Sequence, residues 1–304
     1  MNYLIIGSGA TGGCIGGYLA AAGKDVTFIA RGAHLAAMKE HGFLLHGTRM
    51  GEVKIDPVQA CTAEDYTGKA DVIFLCVKGY ALEGVLPLMS KAAKPDSIIV
   101  PMLNIVGTGG ALQERFPEYT ILDGCIYIGS YINAPGEVTQ TGDTFRVVYG
   151  EREGSAHAAQ LAAIADDLRE ARIDPVVSED IRSAAFAKYC MVSPYAAVEA
   201  YYDILTEPLQ KPGRERDLYV ALTREAIAVG RAMGLTLADQ IVDDNLMQVD
   251  ESTPDSSASM YKDLKRGGES EIDGLLFQVV RLARQYGVSV PNYLMIAEKY
   301  GYQG

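Results

Sequence analysis

Residues 2 to 31, NYLIIGSGATGGCIGGYLAAAGKDVTFIAR, constrain the fold of this chain more than any other stretch. Tyr3, Leu4, Ile5 and Ile6 form a continuous apolar run, the pattern of a parallel strand covered on both faces. Gly7, Gly9 and Gly12 then give GxGxxG, and the alanine-rich run 15 to 22 reads as a helix that stops at Gly23 before a second strand over 26 to 30. Each glycine has its own task. The first permits the tight turn, the second lets backbone approach a pyrophosphate, and the third allows helix to pack closely on strand. Ser8, Ala10 and Thr11 complete the turn, and the helix behind it aims its N–H groups and positive dipole end at the same place. The segment therefore predicts a dinucleotide-binding α/β unit of Rossmann type. Its competitor is a glycine turn without a ligand, which a chain with 32 glycines in 304 residues can produce by chance.

The end of the second strand bears on which dinucleotide. NAD sites usually carry Asp or Glu about 20 residues after the motif, bound to the ribose hydroxyls. Here the sequence is Ala30, Arg31 and Gly32. A guanidinium matches a ribose phosphate, and no carboxylate is present to repel it, so NADP is favoured. The plainer reading of Arg31 is a solvated charge at a strand end.

A formal net charge of -12, from 27 basic and 39 acidic side chains, argues against a nucleic-acid or anionic-membrane binder. An anionic cofactor must then be held by local groups such as Arg31. Cys14, Cys61, Cys76, Cys125 and Cys190 lack CxxC spacing and read as buried thiols in a reducing compartment. The four histidines form no HxxxH or His/Cys pattern, and no metal site is expected. With no apolar run near 18 residues, a signal peptide and a membrane span are not expected, and the chain reads as cytoplasmic. A homodimer is the assembly to test.

Strands and helices alternate to about residue 178. The runs 71 to 78 and 97 to 104 read as strands ending at Lys78 and Asn104, which should face the same crevice as the glycine turn. Residues 120 to 151 carry Pro135-Gly136 and Thr141-Gly142-Asp143 turn signals and are expected to extend the sheet as antiparallel strands. A helix over 154 to 172 and a short strand over 174 to 177 follow. Beyond 178 the texture becomes helical: Leu218, Leu222, Ala226, Val229 and Met233 recur at helical steps before Gly234, and Ile272, Leu275, Leu276, Val279, Val280 and Ala283 before Gly287. The expected domains are 1–178, nucleotide-binding, and 179–304, all-helical and carrying the substrate, with an active site between them.

Two charges stand out in the helical half. Lys188 is the only charge within AAFAKYCMVSPYAAV at 184 to 198. Burying an ammonium there costs several kcal/mol unless it is paired or its pKa falls, which makes Lys188 a candidate proton donor. The competing reading is a lysine that snorkels to water. Glu271 opens a helix, where carboxylates are common for dipole reasons alone, and nothing internal to the sequence prefers it to Asp273.

The whole chain resembles the ketopantoate reductase (2-dehydropantoate 2-reductase) family. The similarity is carried by IIGSGATGG at 5 to 13, Arg31, CVKGY at 76 to 80, MLNIVGT at 102 to 108, INAPGEVTQTG at 132 to 142, DIRSAAFAK at 180 to 188 and SASMYKDLKRGGESEID at 257 to 273. The resemblance implies an N-terminal Rossmann domain followed by an all-helical C-terminal domain of the 6-phosphogluconate-dehydrogenase-like kind. It implies NADPH-dependent reduction of a 2-oxo acid, ketopantoate to pantoate in pantothenate and coenzyme A biosynthesis. Lys188 would be the general acid and Glu271 a catalytic partner that binds and orients substrate. Lys78 would lie near nicotinamide and substrate, Asn104 would touch both, and Ser259 would meet the substrate carboxylate. A cation beside the developing alkoxide stabilises the transition state more than the ground state.

Departures from the family pattern are also informative. Its QNG becomes Leu103, Asn104 and Ile105, and its asparagines four and eight residues after the lysine become Val192 and Ala196; Pro194 falls at an unfamiliar point. Two lost amides remove roughly 1 kcal/mol or more each of polar discrimination in a dry pocket. Ketopantoate is thus the first-choice substrate, another small 2-oxo acid or carbonyl compound the runner-up, and a non-catalytic NADP(H)-sensing regulatory protein the reading from another class.

Overall fold

The computed structural model describes residues 1–304. They divide into two compact units, 1–103 with 107–181, and 104–106 with 182–304. No helix is long and apolar enough to cross a membrane.

The first unit begins with Asn2–Ile6 (β1), Ala10–Ala21 (α1), Asp25–Ile29 (β2), Gly32–His41 (α2), Phe43–Gly47 (β3), Gly51–Ile55 (β4), Gln59–Cys61 (β5) and Ala70–Leu75 (β6). Leu82–Ala92 (α3), Ala93–Pro101 (β7), Thr108–Arg115 (α4), Thr120–Ile121 (β8), Asp123–Ala134 (β9), Glu137–Gly150 (β10), Ala158–Glu170 (α5) and Asp174–Val177 (β11) complete it. Six parallel strands form one sheet in the order β5-β2-β1-β6-β7-β8. The chain runs outward from β1 through β2 in one direction and from β6 in the other, so the order reverses between β1 and β6. That reversal opens the crevice at the carboxyl ends where such sheets take ligands.

Residues 120 to 151 correct the sequence reading. They do not extend the first sheet as an antiparallel addition; only β8 joins it, and in parallel. The hairpin of β9 and β10 instead belongs to a second sheet, in which β10 also runs parallel to β3 and β11, and β3 pairs antiparallel with β4. The cause lies in α1, which has two apolar faces to cover. A Cβ on Gly12 or Gly16 would lie 3.0 or 2.8 Å from Ile5 of the first sheet, while one on Gly13 or Gly17 would lie 3.1 or 3.2 Å from Phe43 of the second. Tyr18 of α1 sends its hydroxyl to Gln140 of β10 at 2.9 Å, and its ring packs edge-on against Phe145. One helix is thus sandwiched by two sheets, and its glycines set the approach on both sides.

The second unit is helical: Ile181–Tyr202 (α6), Arg214–Ala232 (α7), Ile241–Glu251 (α8), Ser259–Lys265 (α9), Gln278–Tyr286 (α10) and Pro291–Lys299 (α11). Leu218, Leu222, Ala226 and Val229 are buried as the spacing predicts, and Gly234 and Gly287 adopt positive φ just beyond their helices. Pro194 lies inside α6 without ending it. A proline supplies no N–H to the carbonyl four residues earlier, and the Cys190 carbonyl accepts the buried Asn245 side-chain amide at 2.9 Å instead. The helix expected to open at Glu271 departs from regularity. Asp273–Phe277 is a π turn, and α10 follows it. All five cysteines are free thiols; Cys14, Cys125 and Cys190 are buried, whereas Cys61 and Cys76 are partly exposed, against expectation.

Candidate active site

The glycine turn lies at the carboxyl end of β1, beside the sheet's reversal. Gly7 has φ +98, and a Cβ there would come within 2.8 Å of the Cys76 carbonyl just past β6. Nothing lies within 4 Å of a Cβ on Gly9, whereas one on Gly12 would stand 2.1 Å from the Gly7 carbonyl. The first and third glycines are therefore required by packing, and the second borders open space. Ala10 and Thr11 open α1, whose first turn holds no acidic side chain and whose start carries no side-chain cap. This cradle fits a pyrophosphate: its amides point outward from a helix start, and no carboxylate opposes the anion. Ser8 is buried and gives both its hydroxyl, at 3.0 Å, and its amide, at 3.3 Å, to the Ile29 carbonyl, so its part is to pin the turn to the end of β2.

Arg31 stands exposed immediately before α2 and forms none of the ion pairs of the unit. Lys78 follows β6 and opens a short 3-10 turn, its carbonyl accepting the Ala81 N–H at 2.9 Å. Because β1 and β6 are parallel neighbours, Lys78 and the glycine turn follow the same, carboxyl, end of the sheet.

In the second unit Lys188 is 7 % exposed, so it does not snorkel to water. Its ammonium donates to Oδ1 of Asn104 at 2.7 Å. The structure thus joins two residues far apart in sequence that were singled out separately. Asn104 lies beyond the end of β7 and belongs with the helical unit. Glu271 and Asp273, inseparable in sequence, part here: Glu271 is buried, whereas Asp273 is exposed and forms a two-pronged ion pair with Arg281, both bonds 2.8 Å. Ser259 is exposed at the start of α9 and is hydrogen-bonded to none of Lys188, Asn104 or Glu271. No group of three or more His, Cys, Asp or Glu side chains is placed to hold a metal ion.

Several buried polar residues of the helical unit carry no signal in the sequence that marks them out singly. Tyr189 and Ser193 donate their hydroxyls to carbonyls of the π turn, and Tyr293 meets Ser193. Glu199, also on α6, is fully buried and accepts the Ala258 N–H at 2.7 Å. Burial pushes its carboxyl up to about 7, against the pull of that N–H, the Tyr195 hydroxyl and Lys262. The available signal was a hydroxyl or carboxyl recurring within an otherwise apolar helix.

Fold and glycine turn together define the class: a dinucleotide-binding α/β protein with an appended helical unit. The chain belongs to the ketopantoate reductase PanE/ApbA family, whose N-terminal model matches residues 3–154 and whose C-terminal model matches 180–300. It is an oxidoreductase of that family, whose typical cofactor is a nicotinamide dinucleotide. It is 25% identical over 291 residues to an uncharacterized oxidoreductase, YkpB, of Bacillus subtilis, covering 96% of this chain and 95% of that one. It is 27% identical over 301 residues to a 2-dehydropantoate 2-reductase of Pyrococcus abyssi, covering 97% and 95%. A D-mandelate dehydrogenase solved with NADH and anilino(oxo)acetate shares the fold, with a TM-score of 0.87 at 23% identity over 98% and 96% of the two chains.

Proposed function

We propose that this chain reduces a 2-oxo acid with NADPH, ketopantoate to pantoate being the first-choice reaction, and so serves pantothenate and coenzyme A biosynthesis. The observation that carries the reading is the buried Lys188 ammonium held 2.7 Å from the Asn104 amide oxygen. NADPH, when bound, supplies the hydride. Lys188 gives a proton to the carbonyl oxygen as negative charge collects there, and its dry surroundings strengthen that interaction. Asn104 fixes the direction of the ammonium and keeps its own amide hydrogens for substrate or cofactor. Glu271 orients the substrate, Lys78 lies near the nicotinamide and substrate, and Ser259 meets the substrate carboxylate. Residues 1–178 are assigned to nucleotide binding and 179–304 to substrate binding. Gly7, Gly9, Ala10, Thr11 and Gly12 cradle the pyrophosphate, with Ser8 behind them and Arg31 on the ribose phosphate.

Val192 supports a second reading. It is only partly buried, one helical turn from Lys188, so the wall there is hydrocarbon rather than amide. Ala196, by contrast, is wholly inside the helical core. An aliphatic or aryl 2-oxo acid suits such a wall better than a hydroxylated one.

A panel of 2-oxo acids that includes ketopantoate and an aryl member, followed by NADPH oxidation, tests both readings. Turnover with ketopantoate at least tenfold above the others supports the first, and preference for the aryl acid supports the second. Lys188→Ala is expected to lower turnover by a factor of 100 or more, on the order of 3 kcal/mol of barrier, with NADPH affinity unchanged. NADPH binding without oxidation by any acid would favour a nucleotide sensor.

A further inference from the structure

The catalytic roles proposed above require Glu271 to be held in a fixed place, yet it stands at the edge of a π turn, a geometry that leaves helical carbonyls without regular partners. Gln278 N–H reaches back to the Asp273 carbonyl, and the Leu275 N–H bonds the Glu271 carbonyl at 2.9 Å, so the backbone of Glu271 is tied directly to this turn. Such turns are uncommon, concentrate at functional sites and persist only where the surroundings specify them.

Here the surroundings are specific. Tyr189 donates its hydroxyl to the Gly274 carbonyl at 2.7 Å, and Ser193 donates to the Leu275 carbonyl at 2.5 Å. Tyr293 meets the Ser193 hydroxyl at 2.7 Å, which leaves Ser193 free to donate to the turn while it accepts from the phenol. Tyr189, Ser193 and Tyr293 are each no more than 2 % exposed, so water cannot substitute for any of these bonds. The third grip is steric. A Cβ on Gly274 would lie 2.6 Å from Cδ1 and Cγ1 of Ile105, so the isoleucine covers the turn where only glycine fits.

These grips come from the same two points of the chain that place the lysine. Tyr189 follows Lys188, and Ile105 follows Asn104, the residue that accepts the Lys188 ammonium. We infer that Tyr189, Ser193 and Ile105 are positioning residues that lock the Asp273–Phe277 turn, and through it Glu271, in register with the Lys188–Asn104 pair. The β-branched Ile105, in place of the family's glycine, is then matched to Gly274 across the contact.

This rests on the catalytic reading of Lys188 and Glu271, and the test separates the two. Tyr189→Phe removes one oxygen and keeps the ring. Ile105→Ala removes the steric cover without touching a hydrogen bond, and provides a second route if Tyr189→Phe folds poorly. Tyr149→Phe is the control, because it too removes a buried hydroxyl-to-carbonyl bond, to Leu161 at 2.8 Å, but in the first unit. With the best acid of the panel, Tyr189→Phe and Ile105→Ala are each expected to lower kcat/KM tenfold or more. Half-saturation by NADPH should stay within twofold, and Tyr149→Phe should keep wild-type kinetics at a comparable loss of Tm. Wild-type kcat/KM in folded Tyr189→Phe and Ile105→Ala overturns the inference while leaving the function intact; so does an equal loss in Tyr149→Phe. Unchanged turnover in Lys188→Ala overturns the catalytic reading itself, and the inference with it.

Discussion

An arginine at a strand end selects a phosphate only when no other anion has claimed it. Arg31 meets that condition, since it is exposed, forms none of the ion pairs of its unit and follows Ala30 rather than a carboxylate. Arg31→Ala is therefore expected to weaken NADPH binding about tenfold or more, the size of one or two charged hydrogen bonds, and to leave NADH binding within about twofold. Calorimetric titration of both cofactors checks this, and an equal loss for the two would remove the phosphate from Arg31. At this scale the sequence was legible where chemistry conflicted with its surroundings: Lys188 was conspicuous as a lone charge in an apolar stretch, and it is buried. Glu271 was not separable from Asp273, because the distinction lies in a distant residue, Arg281, that pairs with one and not the other. Tyr189 and Ser193 were invisible for a similar reason, their partners being backbone carbonyls some 80 residues away, at separations of 85 and 82.

Elements show the same division between local and distant causes. β1, β2 and β6 were readable because each ends in an apolar, buried run that leads into a turn. The second sheet was misplaced, since pairing of β10 with β3 joins segments about 90 residues apart that share no local signal. One local clue existed in α1. Gly12, Gly13, Gly16 and Gly17 repeat small residues on two faces of one helix, and a helix close-packed on both sides needs a layer on each. Gly16→Ala tests that sandwich: the new methyl would stand 2.4 Å from Phe28 Cε1 and 2.8 Å from Ile5 Cγ1, both in a packed sheet. Overpacking of this kind costs about 1–3 kcal/mol. Gly84→Ala, in the exposed first turn of α3 with nothing within 4 Å of the new carbon, should stabilise instead, by up to roughly 0.5–1 kcal/mol through helix propensity. Urea unfolding of the pair is expected to give opposite signs, and a neutral Gly16→Ala would show that α1 has room to move between its sheets.

For the molecule as a whole, the pH dependence of stability sums opposing groups, and they titrate in different windows. Burial alone would raise Asp71 and Asp167, but their partners Lys94 and Lys24 hold both carboxyls below the usual value; Arg49 does the same for Asp174. Those three add stability above the unfolded carboxyl pKa and lose it as pH falls through their depressed values, in the acid range. Glu199 acts with the other sign. A free glutamate has a value near 4.5 and burial raises Glu199 to about 7, so across that interval the folded protein keeps a proton that the unfolded chain has released. Stability therefore falls as pH rises from about 4.5 to 7 and is constant beyond, with a total loss on the order of 3 kcal/mol. The cause is geometric: Glu199 is fully buried, its Oε2 accepts the Ala258 N–H, its Oε1 has no hydrogen-bond partner, and Lys262 acts on it only through space. Tyr195 and Tyr261 are the other titratable neighbours, and burial raises both above their usual value, so neither ionises in this window. Glu199→Gln keeps an acceptor for Ala258 and cannot ionise. The variant should match wild type near pH 5 and exceed it near pH 8, flattening the slope between them, as urea midpoints across that range would show. A slope identical to wild type would mean that Glu199 is ionised throughout and that its buried oxygen has found a partner.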